Sequence, residues 1–233
     1  MMYDLSSSKV EAPIFWTKHL MSTHPIVFIT TIGTLNEQLV AGAAPIATCL
    51  DTSYEPPLIT FSTAVKQHSV VGGPANKDQT NTFLNIKENR SFIVNIPNRD
   101  LIKKLDILGK PYDREKYKDK IEEAGLKKIR PFKLSNRKIY PPMIEECIGH
   151  IECEVIDIHQ PQDSDHYNIT GKVVGVSYDK VLGTDLDEIK INLAKQIFHH
   201  FGSNKDQTER YIGLIKVLKM KSSLIFQLEK DKK

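Results

Sequence analysis

Two long runs near the middle of the chain restrict its fold more than any other feature. CIGHIECEVIDIH (Cys147–His159) and HYNITGKVVGVSY (His166–Tyr178) are rich in β-branched residues and are separated only by QPQDSD. They predict two long antiparallel strands joined by a turn. Upstream, IVFITTIG (Ile26–Gly33) and LVAGAAPIAT (Leu39–Thr48) predict a second hairpin through Thr34–Gln38. Proline inside the latter run marks an edge, a bulge or a strand end at Pro45. LITFSTA (Leu58–Ala64) follows Pro56-Pro57 as a further strand, and SFIVNIP (Ser91–Pro97) alternates and is closed by proline. Early hairpins without strand–helix–strand alternation predict a mainly β fold, an antiparallel barrel with helices outside.

The predicted helices are peripheral. Phe15–Leu20 reads as a turn or two, and a short helix runs from Thr82 to Arg90 with Asn81 or Thr82 as its N-cap. The charged stretch Arg99–Ala124, interrupted at Gly109-Lys110-Pro111, presents a solvated face. Leu186–Gly202 has the spacing of an amphipathic helix ended by glycine, and a lysine-rich tail follows. The expectation is one domain over residues 1–233, its core at about 22–180, with an N-terminal helix and a C-terminal helical and tail extension.

Charge and motifs set several chemistries aside. A net charge of +3 over 233 residues offers no basic face for nucleic acid. The N-terminus carries no apolar leader, and the longest uncharged and largely apolar run, Leu39–Leu50, is far short of the ~20 residues of a membrane helix. Three cysteines without framework spacing read as free thiols in a reducing compartment, so the expected location is cytoplasmic. Asn168-Ile169-Thr170 then matches a glycosylation acceptor only by accident. Glycine-rich nucleotide loops, the G-x-S-x-G elbow and H-E-x-x-H are all missing. Strand alternation would put Cys147 and Cys153 on one face and His150 on the other, which suits buried thiols better than a zinc site.

The candidate site lies in Leu39–Thr63. Ala43 and Ala44 precede Pro45, Ile46, Ala47, Thr48 and Cys49, and the next strand ends in Ser62 and Thr63. Small side chains beside a proline let a flat ligand lie against backbone, and terminal hydroxyls suit an anionic group at its other end. The same alanines also suit close packing of strand on helix, and both readings stand. The polar loop that follows carries Lys66, His68, Ser69, Lys77, Thr80 and Thr82, and it leads into a helix N-terminus, a ready anion site.

In order, these pieces resemble the flavin reductase-like family of FMN-binding split barrels. His24-Pro25-Ile-Val-Phe-Ile-Thr-Thr is similar to the family's opening strand. Gly42-Ala43-Ala44-Pro45 sits where the family has Asn-x-Ala-Pro, so glycine stands in place of a side-chain donor. Glu55-Pro56-Pro57-Leu58-Ile59 resembles its x-Pro-Pro-Leu strand start, and Thr82-Phe-Leu-Asn85-Ile86 its Lys-Asp-Thr-x-x-Asn-Ile, with Lys77-Asp78 lying further upstream. Ser91–Asn95 matches its Phe-Val-Val-Asn strand, and Ile151-Glu152-Cys153 and His166 to Val173 its last hairpin. The resemblance spans about residues 22–180.

It implies an antiparallel Greek-key split barrel that binds FMN. Backbone from Ala43 to Cys49 would face the ring, while Ser62, Thr63, Lys66, the turn Thr80-Asn81-Thr82 and Asn85 would hold the ribityl phosphate end. His166 would stand near the nicotinamide side as the catalytic candidate, although a strand-end histidine in water is an equal reading. The implied function is an oxidoreductase, an NADH- or NADPH-dependent flavin reductase passing electrons to flavin or another acceptor, acting as a homodimer. The alternatives are an FMN-bound electron carrier without nicotinamide chemistry and, from the re-use of small barrels, a nucleic-acid-binding barrel.

Overall fold

A computed structural model describes residues 24–65, 79–110, 119–180 and the backbone of 198–199. Its strands in chain order are β1 (His24–Pro25), β2 (Val27–Leu35), β3 (Gln38–Ile46), β4 (Cys49–Tyr54), β5 (Pro57–Ala64) and β6 (Ser91–Ile96). There follow β7 (Lys128–Ile129), β8 (Met143–Ile144), β9 (Gly149–His159), β10 (His166–Tyr178) and β11 (Phe198–His199). Among the described residues three α-helices accompany them: α1 (Asn81–Asn89), α2 (Leu105–Leu108) and α3 (Lys120–Glu123).

Seven strands form one sheet in the order β3-β2-β6-β9-β10-β5-β4, and every neighbouring pair is antiparallel. The outermost strands, β3 and β4, are consecutive in the chain with only Ala47 and Thr48 between them. The three Cα steps from Ile46 to Cys49 reach roughly 11 Å, so the two edges must curl towards each other. The sheet therefore closes into a barrel, and the Ser62 N–H donates to the Thr48 carbonyl at 3.3 Å beside the corner.

Local chemistry explains the hairpins. Asn36 and Glu37 have φ of 48° and 65°, the left-handed pair of a type I′ turn, which matches strand twist in a two-residue loop. The closing pair Leu35–Gln38 exchanges the ladder bonds. Pro45 is seven positions beyond Gln38, so its missing N–H points to the sheet edge and interrupts no β2–β3 bond. β9 and β10 pair with register shifts at Thr170/Gly171 and at Val173/Gly175, which bend the ribbon around the core.

The barrel interior holds Val27, Ile29, Phe61, Phe92, Val94, Cys153 and Ile169, and α1 plugs one end with Phe83 and Ile86. Phe61 and Phe92 meet edge to face, their centroids 5.0 Å apart. Removing such rings from water contributes about 1.5–3 kcal/mol each. On the outer face, Phe28, Ala41 and Ala43 pack with Leu101, Leu105 and Leu108 and with Ile121 of α3. The alanines thus act as the packing surface for helices, one of the two readings open from sequence.

Four expectations change. CLDTSY forms β4, which the sequence reading left between two strands. The cap of α1 is Thr80, whose Oγ1 accepts from the Phe83 N–H, and neither Asn81 nor Thr82 holds that position. Cys147 precedes β9 and belongs to the outer cluster, whereas Cys153 lies in the interior, so they do not share a strand face. The predicted helix Leu186–Gly202 lies outside the described residues except at Phe198–His199, whose backbone pairs as β11 with β1. Phe15–Leu20 also lies outside them.

Candidate functional site

The end of β5, the start of β10 and the N-terminus of α1 converge on one region. Thr63 is 5% exposed and faces the interior side of β5, where its Oγ1 lies 3.2 Å from the Thr80 Oγ1. Thr80 caps α1, and the first turn of that helix carries no acidic residue. The N–H groups of a first helical turn have no partner within the helix, and the dipole makes that end partly positive. Asn81 is buried and Thr82 half-buried on this turn. Such a hydroxyl-bearing helix terminus is chemically suited to a phosphate.

Tyr167 completes the wall. Its ring stacks on Phe83 with centroids 4.0 Å apart and an interplanar angle of 12°, and Gln79 Nε2 donates to its hydroxyl at 3.5 Å. Sequence reasoning missed both Tyr167 and Gln79. The only signal was that Tyr167 sits beside a singled-out histidine, since the stacking partner is remote in sequence.

Strand alternation divides the other candidates. Ser62 lies on the opposite face of β5 from Thr63. Its Oγ donates to Asn168 Oδ1 at 2.7 Å, and its carbonyl accepts from Thr48 Oγ1 at 3.2 Å. Thr52, Thr60 and Thr170 continue this outer row with Oγ1–Oγ1 separations of 3.0 Å. His166 opens β10 on the same outer face, opposite Ala64. Its Nδ1 lies 2.7 Å from Asp165 Oδ1, so the ring is oriented by a carboxylate and its Nε2 is left pointing away from that contact. The Val65 N–H donates to the Asp165 carbonyl at 2.8 Å, tying the end of β5 to the start of β10.

Along β3 the odd-numbered side chains of Ala43 and Ala47 are turned towards the outer helical cluster, and Pro45 lies beside Gly109. Ala44 and Ile46 face the other way, Ile46 against the interior. By the hairpin register, the Ala43 N–H and carbonyl point away from β2 along the sheet edge, so this residue offers backbone polar groups to a ligand. Cys49 is buried, and burial pushes its thiol up to about 12, so it stays protonated at neutral pH. Asn85 is 1% exposed and spends its Nδ2 on Thr31 Oγ1 at 3.1 Å, holding α1 to β2. Lys66 lies outside the described residues, as do His68, Ser69 and Lys77. Among the described residues no cluster of three or more His, Cys, Asp or Glu could hold a metal ion, and no helix is long and apolar enough to cross a membrane.

Residues 20–188 match the family described as Flavin reductase like domain. An uncharacterised protein of Pyrococcus abyssi is 27% identical over 106 residues, which cover 46% of this chain and 55% of that protein. This chain thus spans little more than half the length of that curated relative. Among solved structures, nitrilotriacetate monooxygenase component B from Bacillus cereus superposes with a TM-score of 0.62 at 19% identity, covering 88% of this chain and 100% of the other. Flavoredoxin from Methanosarcina acetivorans gives a TM-score of 0.59 at 17% identity, with 86% and 95% covered. The shared fold is the antiparallel split barrel.

Proposed function

The chain belongs to the flavin reductase-like family, and from that premise we propose that it is an FMN-binding oxidoreductase, an NADH- or NADPH-dependent flavin reductase serving free flavin or another electron acceptor. The observation that carries the FMN reading is the Thr63–Thr80 hydroxyl pair at an α1 N-terminus free of acidic residues. The residues fit the group: the helix end and its hydroxyls suit the phosphate, and the edge backbone at Ala43 suits the polar rim of the ring. Bound FMN supplies the redox chemistry, and the protein binds, orients and tunes it. In this reading Thr63, Thr80, Thr82 and Lys66 hold the phosphate, and Tyr167 and Gln79 fix the wall beside it. Thr48, Ser62 and Asn168 brace the β4–β5–β10 corner. His166, oriented by Asp165, holds or moves a proton for the incoming nicotinamide or acceptor.

The reading includes a homodimer, supported by the exposed apolar side chains Leu50 and Tyr54 on edge strand β4. An electron carrier without nicotinamide chemistry is the second reading, favoured by the position of His166 on the strand face opposite Thr63.

Heat release followed by flavin fluorescence, with FMN titration of the apoprotein, tests the first step. Neither released flavin nor saturable quenching would end the reading. Anaerobic mixing with NADH and NADPH then separates the two readings: bleaching of bound FMN marks a reductase, and bleaching by dithionite alone marks a carrier. His166→Ala should slow the nicotinamide half-reaction while leaving FMN affinity within about twofold. An unchanged rate would remove His166 from the chemistry.

A further inference from the structure

We propose a second ligand site, for a small apolar carboxylate, in the cleft between the β2–β3 hairpin and the segment 138–142. The cleft is open to solvent and has a volume of about 320 Å³, at the lower end of the size range of small-molecule sites. Its walls are apolar: Ile32, Leu39 and Ala41 from the hairpin, Ile139 and Pro142 from the facing segment. Leu39 is 52% exposed there.

The polar lining is asymmetric in charge. Asp119 is fully engaged: Oδ1 accepts from the Ile121 and Glu122 N–H groups at 3.0 and 3.2 Å, and Oδ2 takes Lys128 Nζ at 2.7 Å. Lys128 also reaches Glu122 Oε1, so its charge is neutralised within the protein. Lys138 is exposed and Tyr140 half-buried, and neither the ammonium nor the phenol has a partner among the described residues. The solvent-exposed ammonium and the phenol therefore line a cleft in which Asp119, the one lining carboxylate among the described residues, is already paired. A ligand that satisfies both is an anion with acceptor oxygens, and the apolar walls require its body to be hydrophobic. The cleft is built from β2, β3, Asp119, Lys128 and the 138–142 segment, and neither Thr63 nor Thr80 lines it.

The test uses the full-length protein saturated with FMN, so that the flavin site is filled, and 2-naphthoate as probe. Its neutral isostere 2-naphthamide is the control. Backbone amide shifts should move for Leu39, Ala41 and Ile139 and saturate at one equivalent, with the amide at least about tenfold weaker. Lys138→Met should weaken naphthoate about tenfold, Tyr140→Phe by less, and Leu39→Glu should abolish it, all with FMN affinity unchanged. No saturable shift at these residues, equal affinity for acid and amide, or full binding by Lys138→Met would each overturn the proposal. Because FMN affinity is measured separately, failure here leaves the flavin reading untouched.

Discussion

Glu152 illustrates what a single residue does in this protein. It is fully buried on β9, and its carboxylate accepts from the N–H groups of Phe132 (2.9 Å), Lys133 (2.9 Å) and Leu134 (2.7 Å). Three convergent amides replace the water that a buried carboxylate would otherwise lose, and they pin the 132–136 segment over the sheet. Removing the side chain leaves three donors without acceptor in a packed site. Glu152→Ala should therefore destabilise by roughly 3 kcal/mol or more, read as a lower midpoint in urea unfolding. Asn95 plays a similar part, donating to the Phe28 carbonyl at 3.0 Å and accepting from the Ile144 N–H at 2.8 Å. In the sequence it was legible only as the end of a strand motif. A motif shows that a polar residue sits in an apolar strand, but its partners lie 49 and 67 residues away, and no local pattern encodes them. Gly171 is a third case: an added Cβ would come within 2.6 Å of the Phe92 ring and 2.8 Å of Cys153 Cβ. Gly171→Ala should cost about 1–3 kcal/mol through displacement of that fully buried ring, measurable by thermal unfolding.

At the scale of elements, what was legible followed from period and composition. Strand β5 alternates clearly, and β2, β6, β9 and β10 are rich in β-branched residues, so their existence follows from the residues alone. β4 was not legible because an edge strand needs no apolar alternation, and four of its six residues, Leu50, Asp51, Thr52 and Tyr54, are exposed. The candidate site was legible as residue types but not as faces. Ser62 and Thr63 are adjacent letters, and strand geometry sends them to opposite sides of the sheet. Only Thr63 meets the helix cap, and that meeting depends on a 17-residue separation closed by the barrel. The cap provides the element-scale prediction. Thr80→Ala removes both the Phe83 N–H acceptor and the hydroxyl beside Thr63, costing about 1 kcal/mol of stability. It should weaken FMN while leaving riboflavin, which lacks the phosphate, almost untouched. Lys66→Ala and Thr82→Ala should discriminate in the same direction, the lysine more strongly because a charge-assisted bond is worth roughly 1.5–3 kcal/mol. Equal losses for both flavins in all three variants would place the phosphate elsewhere.

For the molecule as a whole, two buried bases make stability depend on pH from both sides of neutrality. His150 is 7% exposed, its Nε2 donates to the Ile144 carbonyl at 2.9 Å, and burial lowers its pKa below the usual value. Below about pH 6.5 the unfolded chain takes up a proton that the folded imidazole refuses, so stability falls as the medium is acidified and stops falling below the folded pKa. Lys120 is 9% exposed at the start of α3, its Nζ donates to the Leu108 carbonyl at 2.9 Å, and burial lowers its pKa from 10.5 to about 8. Below pH 8 both states carry the charge and the burial cost is constant. Between about 8 and 10.5 the folded lysine has released its proton and the unfolded one has not, so stability rises with pH across that window. The contribution is about 3 kcal/mol at most, since one pKa unit corresponds to about 1.4 kcal/mol. Urea midpoints measured from pH 5 to 10.5 should therefore climb on the acid side through His150 and again on the alkaline side through Lys120. His150→Gln should flatten the first limb alone. Lys120→Met deletes the titrating ammonium together with its hydrogen bond to the Leu108 carbonyl, so it should flatten the second limb. An alkaline limb that survives Lys120→Met unchanged would assign the titration to another group and leave the lysine as a solvated one.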